Sequence, residues 1–161
     1  MKRLLSIIFI LVFYSVSGAE TFPQVPQRVN DFANVLSPTT ETALKKILKQ
    51  LDMNTTIELI VVTVASLEGK SIEQYSIELG KRWRIGKKDK NNGIFFIVAP
   101  KERKVRLEVG YGLEHILTDA ITKRILRESA SPHFKIGDFD KGCISGVSTI
   151  INTIKQYKGG K

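Results

Sequence analysis

The chain is expected to fold as an α/β protein, a three-layer α/β/α sandwich around a central mixed sheet that includes an antiparallel hairpin. Three observations point there. Ile57 to Val64 and Gly93 to Ala99 are largely apolar runs rich in β-branched or aromatic residues, as in strands covered on both faces. Segments with a helical apolar period stand around and between them. Lys104 to Val109 then alternates charged and apolar residues one short turn after the second run, the pattern of a half-exposed strand folded back on its neighbour.

The elements follow in order. Residues 20–30 contain Pro23 and Pro26 without periodicity and read as an extended N-terminal segment. Ser37-Pro38 opens a helix, with Ser37 as N-cap and Pro38 at the first helical position, where its missing donor costs nothing. Ala43, Leu44, Ile47, Leu48 and Leu51 repeat on its inner face. After the strand at 57–64, Ser71 caps a second helix that turns Ile72, Tyr75, Leu79 and Trp83 inward. The polar loop Lys87 to Asn92 ends in an Asn-Asn-Gly turn, and Gly93 to Ala99 is the second buried strand. A turn over Pro100 to Arg103 closes the hairpin. Leu117 to Glu128 and about Asp140 to Tyr157 are helices, the last with Cys143, Val147, Ile150, Ile151 and Ile154 inward. Gly142 and Gly146 on it suggest close backbone packing. The crossover from first strand through helix to second strand is expected to be right-handed. Residues 31–157 thus form one domain, with a polar tail at 158–161.

Residues 1–19 have the order of a secretory signal: basic Lys2 and Arg3, an apolar run from Leu4 to Val16, then small Ser17, Gly18 and Ala19. Cleavage is expected after Ala19, or after Gly18. The apolar run is shorter than the ~20 residues of a comfortable membrane span, so membrane contact is expected only if the segment stays uncleaved. The destination is then periplasmic or secreted.

The chain carries 25 Lys and Arg against 16 Asp and Glu, a net charge of +9, which falls to +7 once Lys2 and Arg3 leave. These basic residues are spread through helices, turns and hairpin tips, so they read as a solvated surface and no nucleic-acid partner is expected. Cys143 stands alone, which excludes an intrachain disulfide; its hydrophobic neighbours mark it as a core residue. His115 and His133, with a single Cys, supply no zinc set at usual spacings. Gly110-Tyr111-Gly112 follows a strand but has His115 where a dinucleotide fingerprint needs its third Gly, and reads as a sharp chain reversal. Asp138 and Asp140 read as carboxylates capping and complementing the last helix. Asp89 to Gly93 is not an EF-hand, because Pro100 stands where the closing Glu belongs.

What remains is a set of oxygen-bearing side chains beside element ends: Asp31, Asn91, Asn92, Glu114 and Asp119. Such hard donors suit calcium or magnesium. Each also has a structural reading: Asp31 as a turn cap, Asn92 as ordinary turn chemistry, and Thr118 or Asp119 as the cap of the third helix.

Ordered blocks along residues 25 to 155 carry a wider resemblance. They are Val29-Asn30-Asp31-Phe32-Ala33-Asn34-Val35-Leu36-Ser37, Trp83-Arg84-Ile85-Gly86, Asn91-Asn92-Gly93-Ile94, Arg106 to Glu114, Leu117-Thr118-Asp119-Ala120 and Gly137-Asp138-Phe139-Asp140-Lys141-Gly142. With Ser66 to Tyr75 and Pro132-His133-Phe134, they resemble the TPM domain family. The resemblance implies a sheet flanked by helices and a divalent cation near Asp31, Asn91, Asn92 and Asp119. Asn91 stands where many relatives carry Asp, which would weaken the site, because calcium affinity rises with ligand charge. The resemblance implies two functions: a cation-binding module supporting envelope or membrane proteins, or, as some plant relatives are described, an acid phosphatase. In the second case Asp31 or Asp119 would hold the metal and a bound water would be the nucleophile.

Overall fold

The computed structural model describes residues 26–159. The signal reading of residues 1–19 lies outside them, and no helix among the described residues is long and apolar enough to cross a membrane. The elements are β1 (Val29–Asp31), α1 (Pro38–Thr55), β2 (Glu58–Thr63), α2 (Ile72–Trp83), β3 (Gly93–Ala99), β4 (Lys104–Val109), α3 (Asp119–Ile125), α4 (Ser131–Lys135) and α5 (Phe139–Gly159). A 3-10 turn, Tyr111–Leu113, follows β4, and a π-helical stretch, Leu126–Ala130, joins α3 to α4.

The sheet runs β1-β2-β3-β4, with β1, β2 and β3 parallel and β4 antiparallel to β3. Alternation along the buried strands divides the core in two. Leu59, Val61, Ile94, Phe96 and Val98 face α1, α3 and α5. Ile60, Val62, Phe95 and Ile97 face α2, whose Trp83 packs edge-on against Phe95 at 5.6 Å. This is the expected three-layer sandwich with its antiparallel hairpin.

Ser37 and Ser71 cap α1 and α2 as expected; the Ser71 hydroxyl accepts from the Gln74 N–H while the Gln74 side chain accepts from the Ser71 N–H, a full capping box. Three features differ from the sequence expectation. β1 lies partly in the segment read as extended, because three residues are too few to show alternation. The third helix starts at Asp119 and bends through the π stretch into α4, with Pro132 in the first turn of α4, where proline is tolerated. Gly142 and Gly146 make room for rings instead of backbone: an added Cβ would lie 2.1 Å from Phe134 and 3.0 Å from Phe96.

Candidate functional site

The carboxyl ends of β1 and β2 carry Asp31 and Thr63, paired in register. Asp31 is committed to the loop that launches α1. Its Oδ1 accepts from the Val35 N–H (3.2 Å) and the Thr63 hydroxyl, and its Oδ2 from the Leu36 N–H (2.9 Å). Asp140 completes the same anchor from α5, accepting the Ser37 N–H at 2.9 Å across 103 residues of sequence. That backbone N–H holds the Asp140 carboxyl below the usual carboxylate range, outweighing partial desolvation. Asp138 caps α5 through the Lys141 N–H at 3.0 Å. Asp138 thus caps its own helix, as its sequence context suggests, whereas Asp140, read from the sequence as complementing α5, serves the amide of Ser37 ahead of α1 instead.

Cys143 lies fully buried behind them. Burial first, then the nearby Asp31 and Asp140 charges, pushes its thiol up to about 12. At pH 8 the thiolate fraction is then on the order of one in ten thousand, far too small for a nucleophile. Ellman's reagent is expected to leave the native protein unlabelled and to find one thiol per chain in denaturant; rapid native labelling would contradict this core role.

Asn91 and Asn92 lie at the other end of the sheet. Asp31 aligns with Thr63 at the top of β2, whereas Gly93, next to Asn92, aligns with Glu58 at its bottom. Five residues of strand separate the two levels, about 17 Å at ~3.3 Å each. Asn92 is buried and ties the loop together: its Oδ1 accepts from the Lys87 N–H (2.9 Å) and its Nδ2 donates to the Thr56 carbonyl (2.5 Å). Asn91 adopts a left-handed backbone (φ 46°), and its carbonyl accepts from the Gly112 N–H at 3.1 Å.

Glu114 and Asp119 both line a groove of about 380 Å³ along β4. Residues Val105 to Val109 form its floor; Leu117, Lys123 and the two carboxylates line one wall, and Glu73 of α2 the other. Arg106 pairs with Glu108 (2.5 Å) and Glu73 (3.4 Å), and Glu108 also accepts from the Ser76 hydroxyl (2.6 Å). The side-chain carboxylates of Glu114 and Asp119 are exposed and have no hydrogen bond or ion pair among the described residues. Thr118 caps α3 through the Ile121 N–H (3.3 Å), leaving Asp119 open to the groove.

The sequence profile described as the TPM domain matches residues 29–153. The chain belongs to the TPM domain family. A comparison with curated proteins returned no match. Among solved structures, the N-terminal domain of a protein from P. gingivalis is similar at 30% identity and a TM-score of 0.76, over 81% of this chain and 83% of that one. The BA42 protein of the psychrophilic bacterium Bizionia argentinensis shares the fold at 17% identity and a TM-score of 0.66, covering 76% of this chain and 83% of its own. The N-terminal domain of a Corynebacterium glutamicum protein does so at 16% and 0.62, over 87% and 86%.

In this TPM domain, then, the strand register sets Asp31 at the opposite end of the sheet from Asn91 and Asn92. Glu114 and Asp119 share the β4 groove, Asn91 and Asn92 hold the loop below the sheet, and Asp31 anchors α1 above it. No group of three or more His, Cys, Asp or Glu side chains suited to a metal occurs among the described residues. Of the five residues, Glu114 and Asp119 are the two whose carboxylates, the hard donors that calcium and magnesium take, have no partner among the described residues. Sequence reasoning missed Glu73, Arg106 and Glu108 as neighbours of this pair. Alternation placed Arg106 and Glu108 on one face of β4, but nothing local marked β4 as the edge of the sheet.

Proposed function

We propose that this TPM domain is an exported, non-catalytic binding module supporting envelope or membrane proteins, and that it takes calcium or magnesium weakly at Glu114 and Asp119. The observation that carries the reading is the open β4 groove with its two unpartnered carboxylates. Two monodentate carboxylates and water suit the ~millimolar affinity of extracellular calcium modules. Export rests on the residues preceding the domain.

The phosphatase reading needs a cation next to a phosphate cradle. The cationic cavity, about 350 Å³ between the β3–β4 turn and α4, holds Arg103, Lys104 and Lys135 but has no carboxylate in its lining. Cys143 is protonated and buried, and both oxygens of Asp31 already accept amide protons.

Titration of the protein with calcium and with magnesium, followed by amide shifts, is expected to perturb residues around Glu114 and Asp119 with about millimolar affinity. Asp119→Asn should weaken this about fivefold, the loss of one ligand charge. Hydrolysis of para-nitrophenyl phosphate should not respond to either metal. Shifts centred on Asp31, no shifts at all, or metal-dependent turnover would each overturn the reading.

A further inference from the structure

The sheet ends at β4 with its backbone open. The Gly110 N–H donates to the Gly93 carbonyl at 2.8 Å, which sets the phase of the antiparallel ladder. Followed back along the register, Lys104, Arg106 and Glu108 turn their N–H and C=O groups toward β3. Those of Val105, Leu107 and Val109 therefore point away from the sheet, and no loop, turn or cap among the described residues pairs with them. Unlike three-residue β1 at the other edge, β4 offers a full strand length to a newcomer.

The groove over this edge also has a chemical bias. Its lining sets four carboxylates, Glu73, Glu108, Glu114 and Asp119, against two cations, Lys123 and the Arg106 that Glu73 and Glu108 pair, and Glu114 and Asp119 remain without an ion pair on the α3 side. On a chain of net charge +9 this is an acidic exception.

We propose that β4 is the docking edge for an extended basic segment of a partner protein, which adds as a fifth strand and sets Lys or Arg side chains against Glu114 and Asp119. Main-chain bonds to Val105, Leu107 and Val109 supply affinity, and the carboxylates select the sign of charge. A second copy of this chain pairing through its own β4 would bring the carboxylates Glu73, Glu108, Glu114 and Asp119 of its own groove to the same acidic edge, while the two chains, each of net charge +9, repel. The inference rests on the binding-module reading but not on the cation, which would compete for the same two carboxylates.

The test is amide hydrogen exchange and chemical shift on the purified protein in EDTA. Three peptides of about nine residues are compared: one alternating Lys with Val and Thr, its Glu-for-Lys counterpart, and the Lys peptide N-methylated at alternate amides. With the Lys peptide, exchange at Val105, Leu107 and Val109 is expected to slow at least ~tenfold. The Glu and N-methylated peptides should bind at least ~tenfold more weakly, and the exposed pair Glu114→Gln with Asp119→Asn should weaken the Lys peptide about fivefold. The proposal is overturned by unchanged exchange at these three amides, by equal binding of the Glu or N-methylated peptide, or by protection that rises with protein concentration alone, which would mean self-pairing. Because EDTA removes the cation, failure here leaves the calcium reading standing, and failure of the calcium titration leaves strand addition standing.

Discussion

Asp31→Ala is expected to lower stability by about 3 kcal/mol in metal-free buffer, read as a fall in the urea midpoint at unchanged slope. The carboxylate accepts from two loop N–H groups and from the hydroxyl of fully buried Thr63. Removing it strands those donors at the start of α1, and unsatisfied buried donors cost more than the net worth of the bonds. Asp31→Asn keeps one acceptor oxygen and should lose about half as much. Stability unchanged in EDTA but reduced in calcium would show that Asp31 serves a cation instead. The same result warns that loss of calcium binding in Asp31→Ala reports on folding as well as ligation, so Asp119→Asn is the cleaner variant.

Gly112→Ala is expected to cost about 2 kcal/mol, the scale of overpacking against a part that cannot relax. A Cβ there would sit 2.0 Å from the Lys90 carbonyl oxygen, and one on Gly110 would sit 2.2 Å from that of Asn91. Both obstacles are backbone of the loop that Asn92 pins to Thr56 and Lys87, so the strain cannot be shed by a side-chain rotation. Thermal unfolding would check it; a midpoint within a degree or two of the unsubstituted protein would mean the loop yields. The close approach also explains why Gly110-Tyr111-Gly112 is a chain reversal in this fold: its glycines admit a neighbouring loop, and Tyr111 is left exposed.

Much of the fold was legible because its signals are local. A Ser before a Pro or an apolar period announces a cap wherever the chain goes, and both caps form as their sequences predict. Asn92-Gly93 and the four-residue turn after Ala99 bound β3 and β4 at the residues alternation suggests. Strands read as buried on both faces are so, since each carries apolar side chains on successive residues. The junction after α3 was not legible, because a π stretch and a tolerated Pro132 share the composition of an ordinary helix end.

The candidate site divides along the same line. That Asp138 caps α5 follows from its own neighbours; that Asp140 reaches Ser37 does not, since 103 residues separate the partners. Sequence alone determined the family, the layers of helix and strand, and a short list of hard oxygen donors. Only the tertiary structure decided which donors meet, because strand order sets that. Parallel β1 and β2 put Asp31 at the end of the sheet opposite Asn91 and Asn92, and the position of β4 at the edge leaves Glu114 and Asp119 beside an open backbone. The physical reason is that local propensity and period act over a few residues, whereas the convergence of a site depends on how strands are ordered in space.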